Sequence, residues 1–503
     1  MHNFWIDGLK MSLNIMESRR NWKLKAMERG LQVRELRRQQ GIKDSKIADL
    51  LEDVVTMEGE IKKLKTMVDN LDALRQVPER HQVVVICVQL FLCARISFRS
   101  IPRVLSTMSW AGRVPSFSSL INWVCRLGLY KMQNTESLSG PWVAIVDMSI
   151  DIAFKKVLVV LRIPLNVFCS RKTSLTLQDV DCIGLEVNRE WNGAAVNQAL
   201  QRILGNGKDL KVIIKDRGTD LNKGVNLWRD EHASEHVFVV SDLGHEVANS
   251  LKADFVGRIK FSEVTETIKS SACKFFQSGY SFLAPPKIRT KGRFMGISRI
   301  ANWFEKIRGL MGGPGRAKYG SDANELRKLI GGLASIHYPL DKIIEFSKKT
   351  AEVMKILKNR GLNQETFRES KKIIDSLPPR SDTRKRMNRW LKTHLAIQSQ
   401  LSISQTPLPV SSDVIESLFG TFKAFIARNS KAEFNHLVLA IPALCGTTTA
   451  EQIIQSRKTV SHKAFQDWKK NNIGTTAIMR RREFLNGKNG PDSGHFPGNL
   501  SPS

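Results

Sequence analysis

The chain has 503 residues, 42% of them hydrophobic, so it is too long for one small domain and apolar enough for real cores; two to four units are expected. Lys and Arg number 78 against 48 acids, a formal balance of +30, which acts on partners rather than on fold and points to nucleic acid first and an acidic membrane surface second. The longest apolar run, VVVICVQLFLCA, is shorter than the roughly 20 residues of a membrane span, the first thirty residues lack a signal-peptide pattern, and seven cysteines without CxxC or zinc spacing argue against a disulfide framework, so a soluble, cytoplasmic chain with reduced thiols is expected.

Residues 1–46 read as a basic helical segment. From Arg19 to Lys43 nine Lys/Arg stand against two acids, which suits a solvated face or a DNA-backbone contact equally. Residues 47–75 carry heptads. Ile47, Val54, Ile61 and Val68 fall on one core position, and Leu50, Met57, Leu64 and Leu71 on the other. β-Branched residues followed by Leu or Met favour a parallel two-stranded coiled coil; an amphipathic helix packed on its own domain is the alternative. Residues 79–132 predict three helices with a Gly-containing turn, SWAGRV, before the third. That pattern suits a helix-turn-helix, whose second helix would offer Ser118, Ser119, Asn122 and Arg126 to a major groove. A plain helical bundle is the other reading.

At residue 141 the pattern changes. WVAIVDMSID, KKVLVVLRIPL and DCIGLEVN predict three strands; WNGAAVNQALQRIL predicts a helix; LKVIIKDRGTDL and HVFVVSDLGHEVANSLK predict two more strands, each running into a helix. Residues 141–254 therefore read as an α/β sheet with helices on its faces. Residues 255–410 read as helical, broken by the loops GLMGGPGRAKYG and SLPPRSDTRKRMNRW. Residues 411–486 restart with an amphipathic helix, and 487–503 lack the apolar residues needed to fold.

The candidate chemistry sits at strand ends. Asp147 follows WVAIV and Asp216 follows KVII, where open α/β sheets collect functional groups. If these strands are neighbours, the two carboxylates repel unless a cation lies between them. Hard oxygen ligands suit Mg²⁺ or Mn²⁺. Glu416, on the amphipathic helix, is the candidate third acid, while Ile415, Leu418, Phe419 and Phe422 form that helix's apolar face. Asp151, Asp220 and Asp242 compete for membership. Asp242 also ends a strand, with His245 three residues on; both are candidates for supporting the acids or touching DNA.

WVAIVDMSI, VIIKDRGTDL and ESLFGTFK resemble, in that order, the three acidic motifs of the DDE transposases of bacterial insertion sequences, and SDLGHEVANSLK resembles the Asp-x-x-His block that follows the fifth strand in several of them. The resemblance spans 141–254 and 411–445. It implies a ribonuclease H-like core, a mixed five-stranded sheet flanked by helices, with a helical insertion between the last two acids. Arg217 stands where many members carry a small residue. The resemblance further implies that Asp147, Asp216 and Glu416 are catalytic and hold two ions, Asp147 shared between them, for in-line displacement at phosphorus. Lys423 would contact a DNA phosphate. The implied partners are double-stranded DNA, as terminal inverted repeats and as target, and further copies of the chain in a homodimer or higher oligomer, nucleoid-associated and without a membrane. Rival readings are a structure-specific nuclease on the same core, a ribonuclease acting on RNA, and a DNA-binding protein that has lost catalysis.

Overall fold

The computed structural model describes residues 2–72, 80–108, 114–135, 140–148, 155–170, 174–232, 237–258, 261–288, 297–311, 322, 324–401, 406–426, 434–474 and 476–486. Most of the expected turn SWAGRV, the competing acid Asp151 and the tail 487–503 lie outside these residues. The chain divides into two compact units, Met1–Gln82 and Val83–Ser503.

The first unit is built on one helix, His2–Asp72. The basic segment and the heptads are thus a single element with no break near residue 46, because no proline interrupts the stretch. Along it Ile47, Leu50, Val54, Met57, Ile61 and Leu64 are all exposed, from 43% to 61%.

The second unit is organised by a five-stranded sheet: β1 (Trp142–Met148), β2 (Lys156–Pro164), β3 (Asp181–Asn188), β4 (Leu210–Lys215) and β5 (Phe238–Ser241), in the spatial order β3-β2-β1-β4-β5. β1–β2 and β2–β3 pair antiparallel; β1–β4 and β4–β5 pair parallel. All five strands occur where the sequence predicts them. β1 is central, and Trp142–Val146 are buried without alternation, as a strand covered on both faces requires. On one face Ala144, Val146, Leu158, Val160 and Ile213 pack against Val196, Leu200, Val225 and Trp228 from the helices Gly193–Leu204 and Thr219–His232. Asn192 caps the first of these, its side chain accepting from the Ala195 N–H. On the other face Val143, Ile145, Val159 and Ile214 are equally buried.

Two expectations change here. The helix Phe117–Gln133 belongs to the same unit as the sheet and packs on β3 and on the C-terminal helices Ala440–Leu444 and Ala450–Thr459. Asn122 Nδ2 meets His462 Nδ1 at 3.0 Å, and Arg126 donates to the Arg457 carbonyl at 2.5 Å. So Asn122 and Arg126 are half-buried and each is bonded to the C-terminal helices, not free on an open face. Ser119 is tied to the helix start, its N–H donating to Ser116 Oγ, while Ser118 is exposed. The second change lies in SLPPRSDTRKRMNRW. Only its first part is a loop, because Ser381 caps a helix, Asp382–Gln400, that absorbs the rest. Among the described residues no helix is long and apolar enough to cross a membrane.

Candidate active site

Register brings the acids together. Val146 stands opposite Lys215, so the next residue on each parallel strand is Asp147 and Asp216. Lys215 in turn stands opposite Ser241, so Asp242 continues the row. Three aspartates therefore line adjacent strand ends, each held by a local bond. Asp147 Oδ1 accepts from the Met148 N–H at 2.7 Å. Asp216 Oδ1 accepts from the Gly218 N–H at 2.7 Å, closing the turn that starts the helix Thr219–His232. Asp220 lies in the first turn of that helix and is exposed.

Asp242 differs from the other two. It is 1% exposed, and both oxygens are fully engaged. Oδ1 accepts from the Ser412 N–H at 2.7 Å and the Ser412 hydroxyl at 2.9 Å. Oδ2 accepts from the His245 N–H at 2.8 Å and lies 3.1 Å from His245 Nδ1. Burial works to raise its pKa, but these donors outweigh burial and hold it below the usual carboxylate range. Such a depth leaves it no surface to offer DNA.

Glu416 sits on the helix Asp413–Ile426, with Val414, Ile415, Leu418, Phe419 and Phe422 buried and Glu416 itself exposed. Phe422 stacks on Phe434 at 6.0 Å. Glu416 is raised above the ordinary glutamate range, by partial burial first, then by the charge of Asp242. Asp147 is pushed up to about 7, by burial first, then by Asp216, with Glu416 adding to it and His245 opposing. His245 is raised to about 9, chiefly by its bond to Asp242, and the charges of Asp216 and Glu416 add to that. Lys423 is lowered by burial, against the pull of Asp147. Hence Asp147, Asp216, His245, Glu416 and Lys423 share one electrostatic neighbourhood, although they come from four stretches of chain.

The donor chemistry fits a hard divalent cation. A cation beside Asp147 and Asp216 would favour the ionised form of Asp147, which burial first and Asp216 second disfavour. Among the described residues no group of three or more His, Cys, Asp or Glu is gathered closely enough to hold an ion. Glu416 acts electrostatically on Asp147 and is itself acted on by Asp242.

Several residues that bear on the site carry no motif signal. Arg217 is turned to Glu246, on the helix Leu243–Arg258, at 2.6 Å. That pairing gives the guanidinium a partner of its own. His394 Nε2 accepts from the Ser241 N–H at 3.2 Å, while its Nδ1 lies 2.7 Å from the Trp390 carbonyl. Lys358, from the long helix His337–Arg360, pairs with Asp413 at the start of the Glu416 helix. Only the capping position of Ser412 could have been flagged from sequence.

No family model matches the chain, and no curated protein matches it. Among solved structures it is similar to the Drosophila P element transposase strand transfer complex, at 14% identity and a TM-score of 0.38, over 80% of this chain and 98% of that one.

Proposed function

We propose that this chain is a DNA transposase of the DDE type, acting on DNA by metal-dependent cleavage and strand transfer. One observation carries the reading: Asp147 and Asp216 occupy matching positions at the ends of adjacent parallel strands, with Glu416 close enough to act on the titration of Asp147. On a ribonuclease H-like sheet this is the arrangement that in-line phosphoryl transfer uses. Asp147 and Asp216 would hold Mg²⁺ or Mn²⁺, with Glu416 approaching as third ligand; the ions supply activation of the attacking oxygen and stabilisation of the leaving one. Lys423, on the same helix as Glu416 and coupled to Asp147, offers an ammonium to a phosphate oxygen. Arg217, with 47% of its side chain exposed, presents its remaining donors at the rim. The heptads of the first helix would pair two copies, so that two DNA ends are held at once.

The test is Mg²⁺-dependent cleavage of a duplex carrying the terminal inverted repeat that flanks the coding sequence. Wild type should cut; Glu416→Gln should lose at least about 100-fold in rate with DNA affinity retained. Undiminished cutting by the variant removes Glu416 from the site. A second reading, DNA binding without catalysis, takes its support from Arg217, a bulky cation next to Asp216 in the chain. It predicts specific binding and no cleavage by either protein.

A further inference from the structure

We propose that Asp242 is a positioning residue that fixes the helix bearing Glu416 against the strand ends, working through Ser412; the proposal rests on the reading of Asp147, Asp216 and Glu416 as the reacting site. The need is topological. The Glu416 helix returns to the sheet only after the long helical insertion, and neither β1 nor β4 pairs with the returning chain. Its register must be set by something at the sheet edge.

Residues 241–243 supply it. Three successive N–H groups there go to three different segments: Ser241 to His394 Nε2 at 3.2 Å, Asp242 to the Lys215 carbonyl at 2.9 Å, and Leu243 to the Val410 carbonyl at 2.9 Å. The last bond seats the returning chain, and the Asp242 carboxylate completes the join two residues on. Its Oδ1 takes both Ser412 donors, backbone and hydroxyl. Its Oδ2 takes the His245 N–H at the start of the helix Leu243–Arg258. One carboxylate thus ties together the first turns of two helices.

Ser412 then passes that position on. Its carbonyl accepts from the Ile415 N–H at 3.0 Å and the Glu416 N–H at 3.4 Å, so Glu416 lies one turn beyond the tether. A carboxylate offers about four lone-pair sites; three take N–H or O–H donors and His245 Nδ1 faces the fourth, so Asp242 is engaged in holding position. Hydrogen bonds to a buried charge are among the stronger ones, which suits a join that must hold a reacting group in place.

The experiment uses the full chain with Ser412→Ala, which deletes only the hydroxyl bond, and Ser412→Thr, which keeps it. Two readouts are taken: amide hydrogen exchange over residues 412–418, and single-turnover Mg²⁺-dependent cleavage at saturating DNA. Ser412→Ala should speed exchange there by about 10-fold and slow cleavage by about 10-fold, with DNA affinity unchanged. Ser412→Thr should restore both to within about 2-fold. Unchanged exchange in Ser412→Ala overturns the tether, and so does an equal loss in Ala and Thr. Faster exchange with an undiminished cleavage rate overturns the link to Glu416. Wild type that does not cut DNA overturns the function instead, and the exchange data still decide the tether.

Discussion

His394 shows how one side chain can fix its own protonation state. Its Nδ1–H is directed at the Trp390 carbonyl and its Nε2 accepts from the Ser241 N–H, so only the neutral ring satisfies both contacts. Burial lowers its pKa to about 4, with the charge of Arg217 aiding and the Trp390 bond opposing. The folded protein therefore binds fewer protons at this site than the unfolded chain, whose histidine titrates near 6.5. The contribution is fully present above that value and is lost as pH falls toward 4. The unfolding free-energy difference between wild type and His394→Gln should be level above about pH 7 and shrink by about 1.4 kcal/mol per pH unit below about 6.5. Denaturant titrations at pH 7, 6 and 5 measure it; a difference independent of pH would show that the ring is not buried neutral. Asp147 and Asp242 make the complementary point. Both are strand-end aspartates, yet burial beside another acid raises one and four donors lower the other.

At the level of elements, the helix Phe117–Gln133 is defined by a glycine. A Cβ on Gly128 would collide with the Leu439 carbonyl, so only glycine lets the helix lie against that backbone. This close approach brings the helix into the core and its Asn122 and Arg126 into contact with the C-terminal helices. Gly128→Ala should cost about 3 kcal/mol, since the obstacle is main chain and cannot rotate away. Gly420, on the Glu416 helix, has nothing within 4 Å of its would-be Cβ. There Gly420→Ala should gain up to about 1 kcal/mol from helix propensity. Chemical unfolding midpoints of the two variants should move in opposite directions; a neutral Gly128→Ala would show that the contact is not close. Sequence reading found both helices, because their apolar spacing and caps are local. It put the wrong face of one outward, because burial by residues 436–462 is a contact more than 300 positions away.

For the whole molecule the dominant quantity is charge, +30 on 503 residues. Part of it is arranged. On the helix Asp382–Gln400, Lys385, Arg386, Arg389 and Lys392 are exposed, while Met387, Trp390, Leu391 and His394 are buried. If DNA lies along this stripe, log affinity should fall linearly with log salt, with a slope reduced by about 0.9 for each phosphate contact removed. Replacing Lys385, Arg389 and Lys392 together by Ala should flatten the slope by about 2.7, and affinities measured from 50 to 200 mM salt test it. An unchanged slope would place the DNA elsewhere.

The sequence alone determined the five strands, the helices that cover them and the three acids at their ends. Each rests on local information: runs of Val and Ile, capping residues, and the point where an apolar run meets an aspartate. It also marked Glu416 and His245, through motif order. Only the tertiary structure decided that Asp242 is buried with its carboxylate bonded to Ser412 and His245, while Asp147 and Asp216 are half-buried. It also decided that Arg217 has its own partner in Glu246 and that Asn122 and Arg126 bond to the C-terminal helices. Those outcomes depend on pairings across tens to hundreds of residues. What a carboxylate or a guanidinium does is set by the donors, acceptors and charges the fold brings to it.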